Sequence, residues 1–324
     1  MLRLDLGPDE LAATRFACSA LQETVASLRV LDDPTAHTMH LPWYRDVAGR
    51  AARLDLALLR ALVPANGYAP DFISPPPDSP LPDLDADLAR VAATPPDRVH
   101  AEVAELFRTQ PPPVVEVLLA NPAAGLQTVV AQLRQWFEVA LDDHWPRIRA
   151  LLQADISHRA HRLSEGGTRA LFSDLHPSVR WHQGGRLELA ISYDAPVALD
   201  HRGLLLVPSV FAWPGIYVVT DPPWQPTLIY PARGTATAWE PTREPAPAAL
   251  RKLVGPTRAA ILQALEAPRT GGDLARAIGV TPSAVSQQIA ILRDAGLVAT
   301  HRTGRHLIAR RTELGDRFWR KSGG

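Results

Sequence analysis

Ser283, Ser286 and Gln287 share the polar strip of one short amphipathic segment, Thr281–Gly296, while Val285, Ile289 and Leu292 fall at i, i+4 and i+7 on its other side. Two hydroxyls and a carboxamide on an otherwise uncharged strip are suited to hydrogen-bonding base edges in a DNA major groove, with Gln able to pair bidentately with adenine. Arg302, Thr303 and Arg305 follow in the run His301-Arg302-Thr303-Gly304-Arg305-His306. Cationic and hydroxyl side chains in such a loop can hold phosphates or probe a minor groove. Thr281 and Arg293, towards the two ends of the amphipathic segment, complete the set of expected phosphate contacts.

The surrounding residues specify the elements that would present this set. Thr270 lies three residues before Asp273, a capping-box-like helix start, and Leu274 and Ile278 put one apolar stripe on the short helix that follows. Gly279 can take the positive φ that ends it. Thr281 suits an N-cap, and Pro282 stands at the first helical position, where its missing N–H costs nothing. Gly296 stops the second helix. Leu297–Thr300 and Leu307–Arg310 are expected strands on either side of the Arg-bearing loop. Two helices, a tight turn and a hairpin make a winged helix-turn-helix. Charge agrees: residues 248–324 carry 13 Lys and Arg against 5 Asp and Glu, a balance of +8, and the remaining chain balances it at −8. A basic segment on an acidic body fits binding to a polyanion.

The segment Leu253–Leu265, the Asp273–Gly279 helix, the Thr281–Gly296 helix and the Arg-bearing wing together resemble the ArsR-type bacterial repressors. The resemblance covers roughly the last quarter of the chain. It implies a homodimeric winged-helix repressor that leaves a palindromic double-stranded DNA operator when an inducer binds. Metal-sensing members carry a Cys-x-Cys pair before the helix-turn-helix, or His and acidic ligands on the last helix. Here Pro268–Gly272 has no thiol and Thr312–Arg320 has no histidine. Soft-metal sites need such ligands, so a non-metal signal is expected.

Overall an α+β chain is expected: a mainly helical body with a small antiparallel β-meander over residues 1–240, a Pro-rich linker over 241–249, and the winged helix over 250–320. Helices are expected over Leu11–Leu31, Val47–Leu62, Leu84–Ala93, Asp97–Thr109, Gly125–Trp145 and Trp145–Glu165. A break falls at Asp71-Phe72-Ile73-Ser74-Pro75-Pro76-Pro77. Arg186–Tyr193, Gly203–Ser209, Ile216–Thr220 and Thr227–Tyr230 supply the meander, about 186–230. Leu21–Leu31, Leu205–Pro214 and Asp221–Pro231 resemble blocks of long actinobacterial ArsR-like regulators whose large N-terminal domain has no assigned activity. The single cysteine, Cys18, excludes an internal disulfide and is expected to be buried. Without an apolar run long enough to span a bilayer, or a signal-peptide pattern, a cytoplasmic protein with no membrane partner is expected.

Catalytic chemistry finds little support in the body. Gly166-Gly167 and Gly184-Gly185 lack phosphate-loop spacing, and Ser209 lacks the glycines of a nucleophile elbow. His37 and His40 flank Thr38-Met39, and His158 and His161 need a third ligand such as Asp155 or Glu165 to hold a metal. No catalytic residue, metal or cofactor is expected. Phe211, Trp213, Tyr217, Trp224 and Tyr230, with Trp239, concentrate rings in a chain only 6% aromatic. They are candidates to contact a small-molecule effector, with core packing as the competing explanation. Two further readings stay open: an enzymatic or cofactor-binding body tethered to DNA, and a winged helix that binds protein.

Overall fold

The computed structural model describes residues 1–191, 197, 199–239, 248–303 and 306–321, and of residues 248, 249, 303, 306, 320 and 321 it describes the backbone alone. The chain forms two compact units, Met1–Glu240 and Pro241–Gly324. The expected linker, 241–249, falls almost entirely outside the described residues.

The body's helices are α1 (Pro8–Ala12), α2 (Ala20–Asp32), α3 (Leu41–Ala51), α4 (Ala57–Leu62), α5 (Leu84–Ala92), α6 (Pro96–Leu106), α7 (Pro113–Ala120), α8 (Pro122–Ala140) and α9 (Trp145–Phe172). Its strands are β1 (Leu2–Asp5), β2 (Arg15–Phe16), β3 (Val179–His182), β4 (Arg186–Leu189), β5 (Leu205–Ser209), β6 (Tyr217–Val219) and β7 (Thr227–Pro231). Helix α8 organises the core. Leu126, Val129, Leu133, Trp136 and Ala140 repeat at helical spacing and are all buried. Trp43 on α3 donates from Nε1 to the Ala140 carbonyl at 2.9 Å, and Trp136 donates to Ser27 Oγ on α2 at 2.9 Å. Both indole N–H groups are thereby satisfied at depth. A Cβ on Gly125 would come within 2.7 Å of Leu118 Cα, so the glycine permits the close approach of α7 to α8.

The α+β class holds, but the strands are distributed differently from the expected meander. β4 is the central strand of the antiparallel sheet β1-β4-β3, between β1 from the N-terminal segment and β3. β5 and β7 pair in parallel, with β2 parallel on the other side of β5, and only β6 runs antiparallel, beside β7. Both β5 and β7 are buried along their whole length, as parallel strands covered on two faces are. Three helix boundaries also differ. Phe16 sits in β2, because the expected Leu11–Leu31 helix is interrupted before Ser19 N-caps α2 by accepting from Gln22 N at 3.1 Å. The expected Val47–Leu62 helix breaks between α3 and α4. Helix α9 continues past Glu165 through a kink at Gly166-Gly167, where Gly167 takes φ +64°. Cys18 is buried, and burial pushes its thiol up to about 11. Among the described residues no helix is long and apolar enough to cross a membrane.

The C-terminal unit contains α10 (Ala248–Val254), α11 (Pro256–Ala264), β8 (Arg269–Thr270), α12 (Gly271–Ile278), α13 (Pro282–Asp294), β9 (Val298–Thr303), β10 (His306–Arg311) and α14 (Glu313–Lys321). Its core gathers Leu262, Leu274, Val285, Ile289, Leu292 and Trp319. A Cβ on Gly315 would lie 2.1 Å from the Leu297 carbonyl oxygen, so α14 packs against the turn after α13 only because this residue is glycine.

Candidate nucleic-acid interface

Short-range hydrogen bonds hold α12 and α13 in place. Thr270 Oγ1 accepts from Asp273 N at 3.2 Å and donates to the Asp273 carboxylate at 2.7 Å. That bond and the Arg276 guanidinium hold the Asp273 carboxyl below its ordinary range. Gly279 ends α12 in the left-handed region, at φ +70°. Thr281 Oγ1 then accepts from Ala284 N at 3.3 Å, capping α13 behind Pro282.

The two faces of α13 separate as expected. Val285, Ile289 and Leu292 are buried, and Ser283, Ser286 and Gln287 are exposed. Ser286 donates back to the Pro282 carbonyl at 2.9 Å, which leaves its oxygen able to accept from outside. The adjacent glutamines differ: Arg258 donates to Gln288 Oε1 at 2.8 Å and draws it towards α11, whereas Gln287 faces solvent. Ile291, one helical turn beyond Gln287, is 48% exposed, a large apolar residue to which the sequence pattern assigned no role. Its signal was present: it is the aliphatic residue that breaks the inward period of 285, 289 and 292.

The wing extends further than the sequence predicts. β9 and β10 stay in register from Val298↔Arg311 out to Thr303↔His306, so the expected six-residue loop is mostly strand. Arg302 is exposed on β9, opposite Leu307. Thr303 ends the same strand. Gly304 and Arg305 lie outside the described residues. The third strand, β8, pairs with Ile308 and Ala309 of β10 and is too short to show a period. Through it, Thr270 both caps α12 and joins the wing sheet. Arg293 is exposed near the C-terminus of α13, 3.6 Å from Asp294. Thr281, Ser283, Ser286, Gln287 and Arg293 therefore lie along one helix, and Arg302 lies on the wing of the same unit.

The body's aromatic candidates do not converge. Phe211 is fully buried against Trp43, His40 and Trp239, and Tyr230 is buried with its hydroxyl donating to Asp155 at 2.8 Å. Trp213 is exposed, Trp224 lies beneath Arg98 and Arg90, and Tyr217 lies beneath Arg29. The histidine pairs also part company: His158 meets Arg233, His161 meets Glu165, His37 bonds the Trp213 carbonyl, and buried His40 accepts from Trp239. Burial lowers His40 to about 4, so its ring stays neutral. No group of three or more His, Cys, Asp or Glu among the described residues is arranged to hold a metal ion.

Comparison with known proteins matches two separate stretches of the chain. Residues 253–301 match a helix-turn-helix domain family, and residues 98–236 match a family of unknown function, DUF5937. HTH-type transcriptional regulator NmtR of Mycobacterium tuberculosis is 45% identical over 60 residues, which are 18% of this chain and 50% of that protein. The chain thus spans about half the length of this curated relative. No solved structure matches. The C-terminal unit is a winged helix-turn-helix domain of the ArsR type, carried by a chain whose body contains the domain of unknown function.

Proposed function

We propose that the protein is a DNA-binding transcriptional regulator, a homodimeric repressor acting on a palindromic operator in the cytoplasm and responding to a non-metal signal. The observation that carries this reading is the outward polar strip of α13, with Gln287 at solvent and Gln288 held inward, on a segment of charge +8. Ser283, Ser286 and Gln287 read base edges, and Ile291 packs on a thymine methyl beside them. Thr281, Arg293, Arg302, Thr303 and Arg305 hold phosphates or the minor groove. Dimerisation follows from the geometry of recognition: one such helix spans only a few base pairs, and a two-fold pair reads half-sites about one helical turn apart. The non-metal signal rests on the absence of cysteine from this segment and of histidine from its last helix. NmtR, similar over the same region, is named an HTH-type transcriptional regulator.

Genomic footprinting of the full chain at two salt concentrations tests the proposal. The expected result is a discrete site with two-fold symmetry whose occupancy falls steeply with salt, as counterion release requires. Protection no stronger than on random DNA at either salt would overturn it.

A further inference from the structure

The body contains a cavity of about 460 Å³, within the size range of small-molecule sites. It lies between α2, the segment 67–74, the last turn of α6 and strand β6 with its flanks. The wall is tied down at depth. Arg29 of α2 donates to the Pro64 carbonyl at 2.8 Å and the Gly67 carbonyl at 3.0 Å, and Gln22 donates to the Ser74 carbonyl at 2.6 Å. Val25, Ile216, Val219 and Ile229 make part of the lining apolar.

The polar lining is unbalanced. Asp71, Glu105 and Asp221 face the cavity, and among the described residues none of the three is in an ion pair. Glu102 nearby is already satisfied by Arg98 at 3.1 Å and by Phe72 N at 2.8 Å. Of the two lining cations, Arg29 is spent on backbone carbonyls and on the Tyr217 ring, 5.0 Å from its centroid, and Arg108 is exposed at the rim. Tyr68 contributes a buried hydroxyl with no hydrogen-bond partner. Burial, reinforced by Glu102, Asp221 and Glu105, pushes the Asp71 carboxyl up to about 8. With Asp71 ionised, an anion entering this space would add to that repulsion, and a cation would relieve it.

We propose that the cavity binds an organic cation with an apolar body. The cationic centre sits at Asp71, with Asp221 and Glu105 at the entrance. The apolar body lies on the aliphatic wall and the Tyr217 ring, and the Tyr68 hydroxyl is open to a polar substituent. The site belongs to the body alone and holds whether or not α13 reads DNA.

The test uses the full chain without DNA and two probes of matched shape and opposite charge, tetraphenylphosphonium and tetraphenylborate, titrated by calorimetry at pH 9, where Asp71 is ionised. The phosphonium is expected to bind at least about tenfold more tightly, roughly one decade in Kd. Asp71→Asn should remove most of that preference. Asp221→Asn and Glu105→Gln, at exposed positions that leave the fold intact, should each weaken phosphonium binding severalfold. Equal affinity for the two probes, preference for the borate, no binding of either, or phosphonium binding unchanged in both exposed variants would overturn the assignment. Because DNA is absent, that failure would leave the reading of α13 untouched.

Discussion

The capping hydrogen bonds that set α12 and α13 join neighbours three or four residues apart, whereas the buried carboxylates Glu23 and Asp155 of the body take partners from distant parts of the chain. Thr270 is bonded to Asp273, Thr281 to Ala284 and Ser286 to Pro282. In the body, Glu23 accepts from Val210 N at 2.8 Å and Phe211 N at 3.3 Å, across a separation of 187 and 188 residues. Asp155 accepts from Tyr230 at 2.8 Å and from Arg233 N at 3.1 Å, and lies 3.7 Å from buried Arg159. A surface for external polar partners can be built from local capping and period. A buried network needs the finished tertiary structure, and removing one member takes a partner from several others.

The largest effect that separates the two regions is expected at Asp155. Asp155→Ala leaves the Tyr230 hydroxyl and Arg233 N–H without their acceptor, and leaves Arg159 with half-exposed Asp174 as its remaining carboxylate. The body should lose about 3 kcal/mol of stability, the order found when one partner of a buried charged pair is deleted. Denaturant unfolding followed by tryptophan fluorescence measures this, since all tryptophans except Trp319 lie in the body. Hydrogen exchange of peptides from 250–320 should be unchanged. A loss below about 1 kcal/mol, or equal loss of protection in both units, would break the contrast.

A smaller and graded difference is expected with pH. Burial raises Asp71 to about 8, Glu23 to about 7 and Asp87 to about 6, all above their values in an unfolded chain. A carboxyl whose folded pKa is raised binds its proton more tightly when folded. Its stabilising contribution is complete below about pH 4 and is lost as pH rises through the folded value. The body's unfolding midpoint should therefore fall between pH 5 and pH 8. Asp71→Asn should make that fall shallower and raise the midpoint only at the alkaline end. In the C-terminal unit, Asp273 is shifted the other way and is ionised throughout this range. A body midpoint that rises from pH 5 to pH 8, or an unaltered slope in Asp71→Asn, would contradict this assignment.

The same contrast explains what could be read before the fold was known. The α12 and α13 caps, the terminating Gly279 and the buried face of 285, 289 and 292 were legible because each is a relation between near neighbours. β8 was not, because two residues carry no period, and its existence depends on pairing with β10. In the body, strands β4 to β7 were legible, while β1, β2, β3 and the pairing of all of them were not. Nothing in Leu205–Ser209 or Thr227–Pro231 announces that they lie side by side in parallel, with β2 from the N-terminus beside them. The aromatic residues concentrated in sequence do not gather in one place. Phe211 and Tyr230 fill the core, and only Tyr217 of the five reaches the acidic cavity, whose carboxylates come from three separated stretches.

The most direct test of the central claim, that the outward strip of α13 reads DNA, compares Gln287→Ala with Gln288→Ala on the footprinted site and on random DNA. Gln287→Ala should cost about 1–3 kcal/mol on the cognate site, relax preference at one base position, and leave random DNA binding unchanged. Gln288→Ala should preserve the base preference, because its carboxamide is engaged by Arg258. Equal losses on cognate and random DNA for Gln287→Ala, or loss of base preference in Gln288→Ala alone, would contradict the account.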